Sequence, residues 1–187
     1  MSNKLSRHDW RVDDVSNWSS AREFVEQYHY SRGCSHTRVY CHGLYRKDHD
    51  DLFGVAIWLP PTKIAAQSVN KENWQRVLSL SRLAIHPEVP KNGASFLLGR
   101  SISIIKNHGK WKSLVTYADQ YMNHTGGIYR ATNWQYIGLM RGGERWETPC
   151  GRQVSKQSTK TRSTSEMISL GYIRIGRFDK HKFVMHL

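Results

Sequence analysis

Hydrophobic and polar positions along this chain follow two periods, one of about two residues and one of about 3.6. Phe53, Val55, Ile57 and Leu59 alternate with Leu52, Gly54, Ala56 and Trp58, so this run is apolar on both faces and predicts a strand inside a sheet. Arg38 to Arg46 predicts its antiparallel partner across a turn at residues 47–50, and Trp10 to Val15 predicts an earlier strand. Ala21, Phe24, Val25 and Tyr28 stand at i, i+3, i+4 and i+7, the spacing of one buried helix face. Ser20 and Glu23 have the form of a capping box at its start, and Gly33 is its expected end. Leu78, Leu80, Leu83 and Ile85, interrupted by Ser79, Ser81 and Arg82, predict a strand over residues 77–85. Pro87 and Pro90 end it, and Asn92 to Ser95 open a helix whose inward face is Ala94, Leu97, Leu98, Ser101, Ile102 and Ile105. Ser113 to Ala118 predicts another buried strand with Asp119 at its C-terminal end. A short helix at Ile128 to Ala131, a strand after Trp134, a helix at Ser165 to Leu170 and a closing strand at Lys182 to Leu187 complete the pattern. These elements predict a single α/β domain over residues 1–187.

Composition narrows the function classes. Hydrophobic residues make up 39% of the chain, which sets it apart from disordered proteins. No apolar run approaches the ~20 residues of a membrane span, and the first residues lack the apolar centre of a signal peptide, so a soluble intracellular protein is expected. Twenty-eight lysines and arginines against 15 acidic residues give a net charge of +13, which makes nucleic acid the leading partner. The three cysteines form no C-x-x-C pair and fit reduced thiols. Cys34, His36, Cys41 and His42 lack the close ligand pairing of a structural zinc site.

Candidate chemistry gathers at element ends. An arginine inside a strand, Arg82, needs an anionic partner if buried, either a carboxylate such as Asp119 or a substrate phosphate. Asn92, Gly93, Ala94 and Ser95 open a helix whose free N–H groups can hold a pyrophosphate, and Leu83 and Ile85 complete the candidate cofactor set. Asp119, at a strand's C-terminal end, is placed for an acid, a base or a metal ligand, or for a simple cap. Tyr129 is a candidate general acid or a packed aromatic. His29 and Tyr30, with Arg32 beside them, either line a pocket at a helix exit or end the helix as ordinary polar residues. Residues 141–165 form a basic region, with Arg141, Arg145, Arg152, Lys156, Lys160 and Arg162 as candidate DNA-phosphate contacts or as a solvated loop.

The succession from the strand at 77–85 through Asn92 to Ser95, helix, strand and GGIYRATNWQYIG resembles the core of the Gcn5-related N-acetyltransferase fold. It departs from that family's coenzyme loop at Pro90 and Ser95. A narrower resemblance lies in LSRLAIHPEVPKNGAS (residues 80–95), YADQ (117–120), HTGGIYRATNWQYIG (124–138), the early HYS (29–31) and KHKFVMHL (180–187). Together these are similar to the Mom proteins of phage Mu and related phages. The resemblance implies a central mixed, mostly antiparallel sheet flanked by helices. It also implies transfer of a carbamoylmethyl group to the exocyclic amine of adenine in phage DNA within the host bacterial cytoplasm, blocking restriction. Arg82, Ser95, Asp119 and Tyr129 fall on the motif positions expected to carry that activity. The expected donor is acetyl-CoA or another activated compound. His29 and Tyr30 are expected to hold the base or, with Asp119, a metal such as iron. The expected substrate is double-stranded DNA with its adenine flipped out, stacked on residues such as Tyr30, Tyr121 or Trp134. An ordinary N-acetyltransferase of proteins or small amines and a DNA-binding module without catalysis are the alternatives.

Overall fold

The computed structural model describes residues 4–155 and 163–187. The chain forms β1 (Trp10–Asp14), α1 (Trp18–Tyr28), β2 (Tyr40–Arg46), β3 (Leu52–Leu59), α2 (Lys63–Gln67), β4 (Val77–Ile85) and α3 (Gly93–Asn107). It continues with β5 (Ser113–Asp119), α4 (Gly127–Ala131), β6 (Gln135–Met140), β7 (Glu144–Glu147), β8 (Gln153–Ser155), α5 (Thr164–Ser169), β9 (Ile173–Arg177) and β10 (Lys180–His186). Contacts divide the chain into two compact units. One takes in Met1–Thr116, Gly127–Tyr136 and Phe183–Leu187, the other Tyr117–Gly126 and Ile137–Lys182. Among the described residues no helix is long and apolar enough to cross a membrane.

The larger sheet has the order β1-β2-β3-β4-β5-β10-β6, and three of its strands are divided between the units. β1 to β4 pair antiparallel in sequence, and β4 to β5 is parallel, so the sheet is mixed and mostly antiparallel, as expected. The doubly apolar pattern of β3 has the predicted result, since Val55, Ala56, Ile57 and Trp58 have no exposed surface. α1 packs Ala21, Phe24 and Val25 against Val55, Ile57 and Ala84. α3 buries Leu97, Leu98, Ser101, Ile102 and Ile105; Ala94, expected on that face, is only half-buried, and Gly93 is buried in its place.

Both ends of α1 differ from expectation. Asn17, not Ser20, caps the helix, its side chain accepting from Ser19 N–H at 3.0 Å. Three capping-competent residues lie at 17, 19 and 20, and the half-buried Trp18 is already the first helical residue. At the other end His29 adopts extended backbone (φ −102°, ψ 136°), so the helix stops at Tyr28 and does not reach Gly33. Arg32, at φ +45°, follows in a turn closed by Arg32 N–H donating to His29 O at 2.9 Å.

A polar cluster lies inside the first unit. Trp58 Nε1–H donates to Ser101 Oγ at 2.7 Å, and the same oxygen is 2.6 Å from His42 Nδ1. Ser101 and His42 have no exposed surface. His42 Nε2 stands 3.4 Å from Asp14 Oδ1 without hydrogen-bond geometry. Burial lowers the His42 pKa, and Asp14 opposes that shift.

In the second unit β7 is the centre of a three-stranded sheet, β8-β7-β9. Trp146 and Met167 are completely buried there. α5 begins with the capping box of Ser163 and Glu166.

Candidate active site

The first unit places several expected residues around the end of β4. β4 pairs with β3 as far as Gly54↔Ile85, but its parallel ladder with β5 ends at Ser79↔Val115. Beyond that point Thr116 Oγ–H donates to Leu80 O at 3.4 Å. The side of β4 towards Leu83 and Ile85, both half-buried, is therefore free of strand pairing and open to an extended ligand that carries amides.

The loop after β4 is held by two turns, Val89 N–H to His86 O at 3.0 Å and Gly93 N–H to Pro90 O at 2.8 Å. A Cβ on Gly93 would lie 2.0 Å from Val89 Cγ1, so packing within the loop is enough to require glycine there. Asn92 makes no side-chain cap to α3. Its amide reaches the N-terminal segment instead, with Oδ1 accepting from Leu5 N–H at 2.5 Å and Nδ2 donating to Leu5 O at 3.4 Å. Ser95 Oγ–H donates to Asn92 O at 2.9 Å.

Beside this helix start is a cavity of about 480 Å³, lined by Leu5, Arg7, Asn92, Ser95, Phe96, Gly99, Ile102, Ala131, Thr132, Asn133 and Met185. Among the described residues Arg7 is its one charged lining residue. Gly99 lies in the interior of α3, where glycine costs about 1 kcal/mol relative to alanine. A Cβ built on Gly99 would meet nothing within 4 Å. Among the described residues no neighbouring atom accounts for this glycine.

At the α1 exit His29 Nδ1 is 2.8 Å from Ser31 Oγ, Ser31 Oγ–H donates to Gly33 O at 3.0 Å, and the His29 and Tyr30 rings stand 4.3 Å apart. Arg82 belongs to the same cluster. Its Nε–H donates to Gly33 O at 2.7 Å and its Nη1–H to Ser81 O at 2.7 Å. Of the two alternatives for Arg82, a carboxylate such as Asp119 or a substrate phosphate, the first is absent, since no carboxylate among the described residues pairs with Arg82. Burial lowers its pKa, and Tyr30 and Cys34 oppose that shift. A half-buried guanidinium neutralised by no carboxylate is suited to an incoming anion.

Tyr129, on the short α4, packs against Phe183 at 5.1 Å and Trp134 at 5.8 Å. Burial raises its pKa, so the hydroxyl stays protonated at neutral pH. Trp134 is only 5% exposed and stacks on Trp58, which removes it from the candidate base-stacking faces.

In the second unit Asp119 is 3% exposed and both its oxygens are engaged. Oδ1 accepts from Tyr121 N–H at 3.1 Å, and Oδ2 forms an ion pair with Arg145. The Arg145 guanidinium lies 4.9 Å over the Tyr121 ring. Gln153 Nε2–H donates to the Tyr121 hydroxyl at 2.6 Å, and Phe178 meets the same ring at 4.5 Å. Of the other expected DNA contacts, Arg32, Arg141 and Arg152 are exposed, while Lys156, Lys160 and Arg162 lie outside the described residues. Among the described residues no group of three or more His, Cys, Asp or Glu is arranged to hold a metal ion. Arg7 and Gly99 escaped the sequence reading, although a glycine inside a helical pattern is a usable signal.

Solved structures define the class of fold. The chain matches the ribosomal-protein-S18-alanine N-acetyltransferase of Escherichia coli at a TM-score of 0.55 and 12% identity, over 95% of this chain and 93% of that one. An N-acetyltransferase from Staphylococcus aureus gives 0.56 at 9% identity over 95% and 98%, and a Bacillus subtilis acetyltransferase in complex with CoA gives 0.53 at 11% over 96% and 98%. The fold is that of the Gcn5-related N-acetyltransferases. A model of the Mom protein family matches residues 9–187, and the chain belongs to that family. It is 26% identical over 132 residues to the methylcarbamoylase Mom of Escherichia phage Mu. The match takes in 68% of this chain, and the chain spans about half the length of that relative, 53%.

Proposed function

We propose that this protein transfers a carbamoylmethyl group to the exocyclic amine of adenine in DNA. The observation that carries this reading is the Mom family match across residues 9–187, with a methylcarbamoylase as relative. The net charge of +13 suits a polyanionic substrate, and protection of phage DNA from restriction in the host cytoplasm is the expected consequence.

The chemistry asks for an activated donor, since the lone pair of that amine is delocalised into the ring. The bond formed joins N6 to a donor carbon, the bond broken releases the leaving group, and one amine proton must depart. Asp119 orients the amine and accepts its proton, while Tyr129, protonated at neutral pH, donates to the leaving group. Arg82, paired with no carboxylate among the described residues, holds an anionic donor group or a DNA phosphate.

The coenzyme implied by the fold has a matching set of residues. The unpaired side of β4 at Leu83 and Ile85 suits its amide arm, and the cavity of Arg7, Asn92, Ser95 and Gly99 suits an anionic end, although Pro90 removes one N–H from the loop. When bound, a thioester would supply an activated carbonyl carbon, whereas a carbamoylmethyl product requires a donor held there to carry its leaving group on the methylene carbon that joins N6. Gly99→Leu tests the cavity. It should abolish coenzyme A binding in calorimetry and lower the yield of modified nucleoside, yet raise helix stability by about 0.8 kcal/mol. Unchanged binding with a filled cavity would place the donor elsewhere.

A base within a duplex cannot reach these groups, so the adenine must leave its stack. Tyr30, at 40% exposure, and the half-buried Tyr121 are the candidate aromatic faces that remain. The decisive experiment expresses the wild type and Asp119→Asn in bacteria, digests total DNA to nucleosides and compares masses. A new deoxyadenosine derivative from the wild type alone supports the reading, and its mass names the group. Unmodified DNA from soluble, well-expressed wild type would favour ordinary acetyl transfer or simple DNA binding.

A further inference from the structure

We infer that Arg145 is a positioning residue for Asp119 and does not serve as a contact to DNA phosphate. The inference rests on the DNA-modifying reading above and deepens it at one residue. In a chain this basic, an arginine in the region 141–165 reads by default as part of a phosphate-binding surface. The ion pair of Arg145 with Asp119 assigns it a different task.

Asp119 is almost fully buried, with one oxygen receiving the Tyr121 N–H and the other the Arg145 guanidinium. Removing one member of a buried pair leaves the other charge uncompensated, so DNA phosphate cannot draw Arg145 away without heavy cost. The guanidinium is also held from its flat side, against a Tyr121 ring that Gln153 and Phe178 fix in turn. Arg174 and Arg177, on β9, show the contrasting case, since both approach Glu144 and both remain substantially exposed. Each carboxylate oxygen of Asp119 still has a lone pair beyond its present bond, enough to receive an amine N–H. Arg145 therefore fixes the direction of the carboxylate, and it influences the reaction only through Asp119.

The test uses the full chain as wild type, Arg145→Gln, Arg145→Lys and Arg152→Gln, each checked by thermal melting. Affinity for a duplex is measured across a salt series, and modified deoxyadenosine is quantified in DNA from expressing cells. For Arg145→Gln the expected result is an unchanged salt slope with a yield lower by about 100-fold, the scale of a misplaced reacting group. Arg145→Lys keeps the charge but loses the flat stacked fork, and should recover part of the yield. Arg152→Gln should instead lower the salt slope by about one, as loss of a phosphate contact does. If Arg145→Gln behaves like Arg152→Gln, or if its yield equals that of the wild type, the inference is wrong. Should Arg145→Gln not fold, Arg145→Lys decides alone: a wild-type yield overturns the inference, and a reduced yield with an intact salt slope upholds it. A wild type that modifies no DNA sinks the parent reading and this role with it, whereas failure of the Arg145 arms alone leaves that reading standing.

Discussion

Tyr129→Phe is expected to cut the yield of modified deoxyadenosine by about 10²–10⁴-fold, the usual contribution of a positioned proton donor. The change keeps the ring, and so keeps its packing against Phe183 and Trp134. It removes a single hydroxyl, which at the net worth of one hydrogen bond is about 1 kcal/mol. Activity and stability should therefore separate, with the nucleoside assay falling by orders of magnitude and the melting temperature by only a few degrees. The pH dependence has a fixed sign. Burial raises the phenol above its ordinary value of 10, so this group stays protonated through the physiological range and is lost only at a more alkaline pH. Full activity in Tyr129→Phe would reduce the residue to a packed aromatic.

Ser101→Ala is expected to be among the most damaging small substitutions in the chain. It leaves Trp58 Nε1–H and His42 Nδ1 without a partner at positions with no exposed surface. Each orphaned buried group costs about 1–3 kcal/mol, so a total near 3 kcal/mol and a melting temperature lower by about 5–10 °C follow. His42 adds a pH dependence of known direction. Its folded pKa lies below the unfolded value of 6.5, so the unfolded chain binds more protons as pH falls through that window. Stability is therefore full above 6.5 and declines below it. Thermal melts of wild type and Ser101→Ala at pH 5.5 and pH 7.5 measure both effects. A Ser101→Ala midpoint within a degree of wild type would show that the cluster is not anchoring α3.

The strands at 77–85 and 113–119 and the helix at 93–107 were legible because their apolar runs are long and bounded by proline, glycine or an acid. The start of α1 was misread because Asn17, Ser19 and Ser20 compete for the cap and local sequence does not rank them. β7, β8 and β9 were not foreseen. They are three to five residues long, β7 and β9 are rich in Arg, Glu and Gly, and a weak two-residue alternation is hard to tell from loop. The candidate residues could be named from their type and their place at element ends, but their partners could not. Asp119 meets Arg145, which lies 26 residues away on one of those unforeseen strands, and Arg82 bonds main-chain oxygens where the sequence offered a carboxylate or a substrate phosphate. Pairings of this kind depend on tertiary closure, which no local period encodes.

Gly99 has a consequence for anyone who tries to make this protein hardier. A screen that ranks variants by heat resistance alone would choose Gly99→Ala early, because alanine is the better helix former and its methyl group meets no neighbour within 4 Å. That methyl group would stand in the wall of the cavity. With the donor seated in that cavity as proposed, the bare stretch of α3 is a place where selection for robustness and selection for turnover pull in opposite directions, and stabilised descendants should be screened for both properties together.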